Sequence, residues 1–122
     1  MSVQHYRQLI VWQKAMDLAE QCYRVTRGFP KDELFGMTSQ IRRASASIPA
    51  NIAEGWGREG SRECIQFLRV AQGSLKELET HLILCQRVGL LLEAQALPFL
   101  VLCTEVGKMV RSLIGSLQRK LK

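Results

Sequence analysis

RRASASIPANIAEGWGR, residues Arg42–Arg58, carries a helical pattern straight through a proline. Proline inside a helix removes one backbone hydrogen bond and crowds the preceding turn, at a cost of ~3 kcal/mol. The apolar phase nevertheless survives it. Leu34, Met37, Ile41, Ala44, Ile48, Ile52 and Gly55 follow one another in steps of three and four. That spacing predicts one continuous helix from about residue 32 to 57, kinked at Pro49, rather than two helices and a loop. Asp32 is the expected N-cap. The glycines of GWGREGS end the element.

The other faces of this helix are informative as well. Gln40, Arg43, Ser47, Asn51, Glu54 and Arg58 form a polar stripe beside the apolar one. Between Ala44 and Ala53 no charged residue occurs. A surface helix normally presents a charged face, so this middle section is expected to be crowded on more than one side, as in a self-associating protein. Pro49 also frees the Ser45 carbonyl, so its bend either wraps the helix round the core or shapes a groove. Arg42, Arg43, Ser47, Pro49, Ala50, Asn51 and Glu54 are therefore the candidate structural or oligomer-forming residues. Glu54 and Arg58, four apart in the favourable order, are expected to pair on the surface. A link from Asn51 and Glu54 to another helix or protomer is the alternative.

Three further segments share the 3.6-residue period. The first places Trp12, Ala15, Ala19, Cys22 and Thr26 on one face and stops at Gly28, with Pro30 beyond. The third, with Ser61 as expected N-cap, carries Cys64, Phe67, Leu68, Ala71, Leu75, Leu78, Leu82 and Cys85 and stops at Gly89. The fourth opens between Glu93 and Leu97 and continues through Leu102, Val106, Met109, Leu113 and Leu117. Pro98 is tolerated only near its start. No sustained period-two alternation predicts a strand. Residues 1–122 are thus expected to form a single all-α domain, an antiparallel up-down-up-down four-helix bundle.

Composition narrows the function classes. Of 122 residues, 47% are hydrophobic and 23% charged, which suits a globular chain and excludes a disordered one. No stretch is apolar for the length of a membrane span, and the N-terminus lacks the signature of a signal peptide. Cys22, Cys64, Cys85 and Cys103 are widely spaced on apolar helical positions. They read as buried free thiols in a reducing cytoplasm, with a disulfide or zinc site as the weaker alternative. A di-iron bundle needs two Glu-x-x-His pairs; Leu78 precedes His81 by three, so KELETHL supplies none. No nucleophile-elbow or phosphate-loop motif is present. No catalytic, cofactor-binding or metal-ligating residue is assigned, and the chain is not expected to be an enzyme.

The net charge is +6. From Val106 onward Lys108, Arg111, Arg119, Lys120 and Lys122 occur without an acid, and Arg58, Arg62 and Arg69 gather around the start of the third helix. These residues are either solvated faces or a surface for the phosphates of RNA or DNA. No motif for reading base edges accompanies them, so strong sequence specificity is not expected.

QIRRASASIPANIAEGWGR, preceded by FPKDELFGMTSQ and followed by FLRVAQGSLKELETHL, resembles the four-helix-bundle proteins encoded in intervening sequences of bacterial large-subunit (23S) ribosomal RNA genes. LIVWQKAMDLA and VGKMVRSLIGSL extend the likeness over about residues 7 to 118. That family is similar in fold to the accessory variability determinants of diversity-generating retroelements, basic homopentamers that bind a reverse transcriptase and nucleic acid. The resemblance implies an all-helical protomer, a homopentamer, no enzymatic activity, and a nucleic-acid or protein partner such as a reverse transcriptase or ribonucleoprotein. Phe35, Gly36, Arg42, Arg43, Ser47, Pro49, Asn51, Glu54 and Gly55 match the family pattern. Pro98 and Phe99 depart from it, standing where acidic residues are common.

Overall fold

The computed structural model describes residues 5–121. Among them the chain folds into four α-helices and no strand: α1 Ile10–Thr26, α2 Met37–Trp56, α3 Ser61–Arg87 and α4 Glu93–Lys120. Short 3-10 turns at Tyr6–Gln8 and Lys31–Glu33 precede α1 and α2. Each helix packs on its neighbours in the chain, and α4 also packs on α1, so the contacts close into a ring around one core. Ile41, Ile48 and Ile52 of α2 are fully buried with Leu18, Leu68, Leu78, Leu82, Val106 and Val110 from the other three helices. Each such side chain contributes about 1.5–3 kcal/mol by leaving water.

α2 is continuous through Pro49, but it starts later than its apolar phase suggests. At Lys31–Glu33 the chain winds with three-residue hydrogen bonds, Glu33 N–H to Pro30 O and Leu34 N–H to Lys31 O. Gly36, with ψ −115°, then turns the backbone out of helical geometry and becomes the N-cap. Asp32 is therefore displaced from the capping position. Its role falls to Glu33, whose Oε1 accepts the Met37 N–H at 3.0 Å. Leu34, in phase by count, lies in this connector and is half exposed.

The cap of α3 shifts in the same way. Gly60 is the N-cap and Ser61 the first helical residue, because the extended backbone ends one position earlier, at a residue with no side chain to donate or accept. At the other end α3 closes as the glycine signal predicts. Gly89 takes φ +84°, and the Leu90 and Gly89 amides donate to Cys85 O and Gln86 O at 2.8 and 3.2 Å. This paired closure needs the left-handed conformation that glycine adopts freely. In α4, Pro98 sits in the second turn. The carbonyl it leaves free belongs to Ala94, an exposed residue that water reaches.

The register of α3 sets the surface described next. Ser47 faces Ser74 across α2 and α3, while Gly55 meets Cys64 and Phe67, so these helices run antiparallel. Gly107 of α4 lies against Leu75, and Leu117 borders the same pocket as Cys64, so α3 and α4 run antiparallel too.

Candidate nucleic-acid interface

Arg62, Arg69 and Lys76 recur every seven residues along α3 and are all exposed. Seven residues are nearly two helical turns, so the three share one face. Gln72, Gly73, Lys76 and Glu79 of that face form one wall of a groove of roughly 370 Å³. Thr104, Gly107 and Arg111 of α4 form the other wall. Arg69 precedes Gln72 and Gly73 by three and four, which puts it on the same face of α3. The Arg111 guanidinium lies over Gly107 and that of Arg119 over Gly115, so both extend along α4 beside the groove. Lys108 is exposed next to Gly107. The acid in the groove is Glu79, 3.1 Å from Lys76. The Lys76 side chain is 78% exposed and that of Glu79 22%, so the lysine keeps its contact with solvent while the carboxylate is largely covered.

The structure thus sets Lys76 and Arg111 on the two walls of one groove, with exposed Arg69 one turn before Gln72 on α3 and outside the groove's lining. Arg62 opens the same α3 face near the end of the molecule where Ser61 and Leu117 meet, and Arg119 and Lys120 follow Leu117 in α4. Lys122 lies outside the described residues. Arg58 is set apart. Its guanidinium stands 4.9 Å from the Phe67 ring and 3.9 Å from Glu54, so the expected surface pair forms and holds it on the α2/α3 side.

The residues assigned to assembly divide as well. Ser47 Oγ shares a hydrogen with Ser74 Oγ at 2.8 Å, and Asn51 Nδ2 donates to Ser47 O at 2.8 Å. The middle of the polar stripe, Ser47 with Asn51 bonded to it, therefore faces α3 of the same chain. Arg42 is a clamp between helices: Nε donates to Thr26 Oγ1 at 2.9 Å, and the guanidinium lies 4.8 Å from the Tyr23 ring. Pro49 is buried, while Arg43, Ala50 and Glu54 are exposed.

Reading the sequence missed Lys76 and the exposure of Phe35, which stands 93% exposed on the α1–α2 connector. At Pro49, where the bend was read as either wrapping the core or shaping a groove, a groove between α1 and α2 is walled by Trp12, Met16, Tyr23, Ala46, Pro49 and Ala50. The signal was present, since Phe35 falls outside the helical phase and Ala46 and Ala50 lie in the charge-free middle of α2.

All four cysteines are buried and unbridged. Burial pushes the Cys22 thiol up to about 12, against a smaller opposing effect of its hydrogen bond with Ser45. Cys103 is pushed to about 12 and Cys85 to about 11, again chiefly by burial, with the charges of Glu79 and Glu33 respectively adding to it. Such thiols are poor nucleophiles and poor metal ligands. Nε2 of His81 is buried without a hydrogen-bond partner. Among the described residues no three His, Cys, Asp or Glu side chains come together as a metal site. No helix among them is long and apolar enough to cross a membrane.

Comparison with known proteins follows the same lines. The family described as 23S rRNA-intervening sequence protein matches residues 7–112. A crystal structure of a protein of unknown function from the S23 ribosomal protein family of Bacteroides thetaiotaomicron superposes with a TM-score of 0.78 at 27% identity. The match covers 86% of this chain and 98% of that one. No curated protein matches.

Proposed function

The chain belongs to the 23S rRNA-intervening sequence protein family, and we propose that it is a non-enzymatic, homo-oligomeric helical bundle that binds RNA or DNA through the α3/α4 groove. The observation that carries this reading is a groove walled by Lys76 and Arg111 with Gly73 and Gly107, and continued by exposed Arg62 and Arg69 along α3 and Arg119 along α4. Glycines let a sugar-phosphate backbone approach the helices closely. Guanidinium groups on either side hold phosphate oxygens by paired, charge-assisted hydrogen bonds. The groove has no aromatic wall on which bases would stack, so affinity comes from the backbone and sequence preference is slight. A homopentamer would multiply the +6 charge of one protomer fivefold and turn weak contacts into avid ones.

The test is the double variant Arg69→Gln with Arg111→Gln. Both positions are exposed, so helicity is expected to be unchanged. Binding to all RNA and DNA sequences weakens alike, and the plot of log affinity against log salt becomes shallower by about two phosphate contacts. Unchanged binding would move the interface elsewhere. A scaffold that docks a reverse transcriptase or ribonucleoprotein through the same cationic face is the second reading, which the exposed Lys108, Arg119 and Lys120 also suit.

A further inference from the structure

We infer that the α1/α2 groove is a docking site for a second copy of this chain, and that Phe35 of that copy is the side chain that fills it. The inference rests on the homo-oligomeric part of the function proposed above and gives it a location.

A phenylalanine 93% exposed leaves almost its whole ring in water, which burial against an apolar surface would relieve. Leu34 beside it is 51% exposed. The two are not on a loose tip. The connector is tied by hydrogen bonds from Glu33, Leu34 and Gly36 amides to carbonyls three residues back, and by the Glu33 side chain on Met37. The connector therefore presents a rigid apolar knob. The groove offers a matching site. It measures roughly 540 Å³, with Trp12, Met16 and Tyr23 on one side and Ala46, Pro49 and Ala50 on the other. α2 has no charged side chain between Arg43 and Glu54, yet Ala46 and Ala50 are exposed in the single chain. A charge-free strip of small residues open to water is the face that another apolar surface covers.

Charge selects the occupant. The groove is edged by Glu20, Arg24 and Arg27, and the exposed residues just before Phe35 are Lys31 and Asp32. Glu20 and Arg24 pair with each other at 3.7 Å, which leaves Arg27 to meet the Asp32 carboxylate of the incoming connector. A nucleic acid fits this groove less well: its walls are mainly aromatic and aliphatic, and Arg42 nearby is already committed to Thr26 and Tyr23. Because every copy carries one knob and one groove, the contact is heterologous, the kind that generates rings when its rotation closes.

The test compares wild type, Phe35→Ser and Ala50→Glu by sedimentation velocity and circular dichroism. Both positions are exposed in the single chain, so helicity is retained. The inference predicts an oligomeric wild type and two monomeric, folded variants. In a mixture of Phe35→Cys and Ala50→Cys proteins, mild oxidation should link unlike copies, since the four native thiols are buried. An oligomer that survives both substitutions would overturn the inference while leaving homo-oligomerisation intact. A monomeric wild type would overturn both. Loss of RNA binding by Phe35→Ser with assembly unchanged would assign the knob to nucleic acid and also overturn it.

Discussion

At Gly55 α2 and α3 approach each other closely. A β-carbon there would lie 2.8 Å from Phe67 Cβ and 3.0 Å from Cys64 O, backbone that cannot step aside. Gly55→Ala is expected to destabilise the fold by about 1–3 kcal/mol through overpacking, read as a lower urea midpoint at unchanged slope. The cysteines give a second residue-scale expectation. The folded values of Cys22, Cys85 and Cys103, about 11 to 12, stand above the ordinary 9.0, so the folded protein holds protons that the unfolded chain releases. Their contribution to stability is whole below pH 9.0 and is lost as pH rises from there toward the folded values. Thiol reagents at about pH 8 should label the protein slowly until denaturant is added, because thiolate is the reactive form; rapid labelling of the folded protein would contradict the burial. At this scale the sequence was least legible. Asp32 and Ser61 are good capping residues by type, but the backbone enters α2 and α3 at Gly36 and Gly60. Which residue caps is decided by where the chain turns, not by the side chain alone.

Helix periodicity carried more. The 3- and 4-residue steps through Pro49 foretold an unbroken α2, and the stops at Gly28 and Gly89 sit just beyond α1 and α3. What the period did not reveal was the direction in which polar residues point. Ser47 and Asn51 looked like a wet stripe, yet they form the hydrogen-bonded seam with Ser74. Small hydroxyl and amide side chains satisfy one another in a tight interface as readily as they meet water. Gly73 illustrates the opposite case. It is exposed in the middle of α3, and a β-carbon there would meet nothing within 4 Å. Glycine in mid-helix costs roughly 0.5–1 kcal/mol against alanine. Gly73→Ala should raise the thermal midpoint of the free protein and, by placing a methyl in the α3/α4 groove, weaken its binding to nucleic acid. A variant that is more stable and binds as before would mean that no backbone approaches that wall.

Across the whole molecule, charge and apolar surface are separated. The basic groove lies between α3 and α4, and the one with aromatic and aliphatic walls, charged only at its rim, lies between α1 and α2. Arg62, Arg69, Lys108, Arg111, Arg119 and Lys120 were legible as basic positions, but Lys76, which keeps the seven-residue spacing of Arg62 and Arg69, was not singled out. The meeting of Lys76 with Arg111 was not legible either, since it depends on the antiparallel register of α3 and α4. The exposed Phe35 was hidden for a related reason: its burial state depends on where α2 begins. The most direct test of the central claim is a salt series with wild-type protein on single-stranded RNA and duplex DNA of unrelated sequences. Log affinity should fall linearly with log salt, by about 0.7 per contact on single strands and about 0.9 on duplex DNA, with little difference between sequences. Absence of salt-dependent binding at low ionic strength would contradict it and leave the basic groove a solvated face.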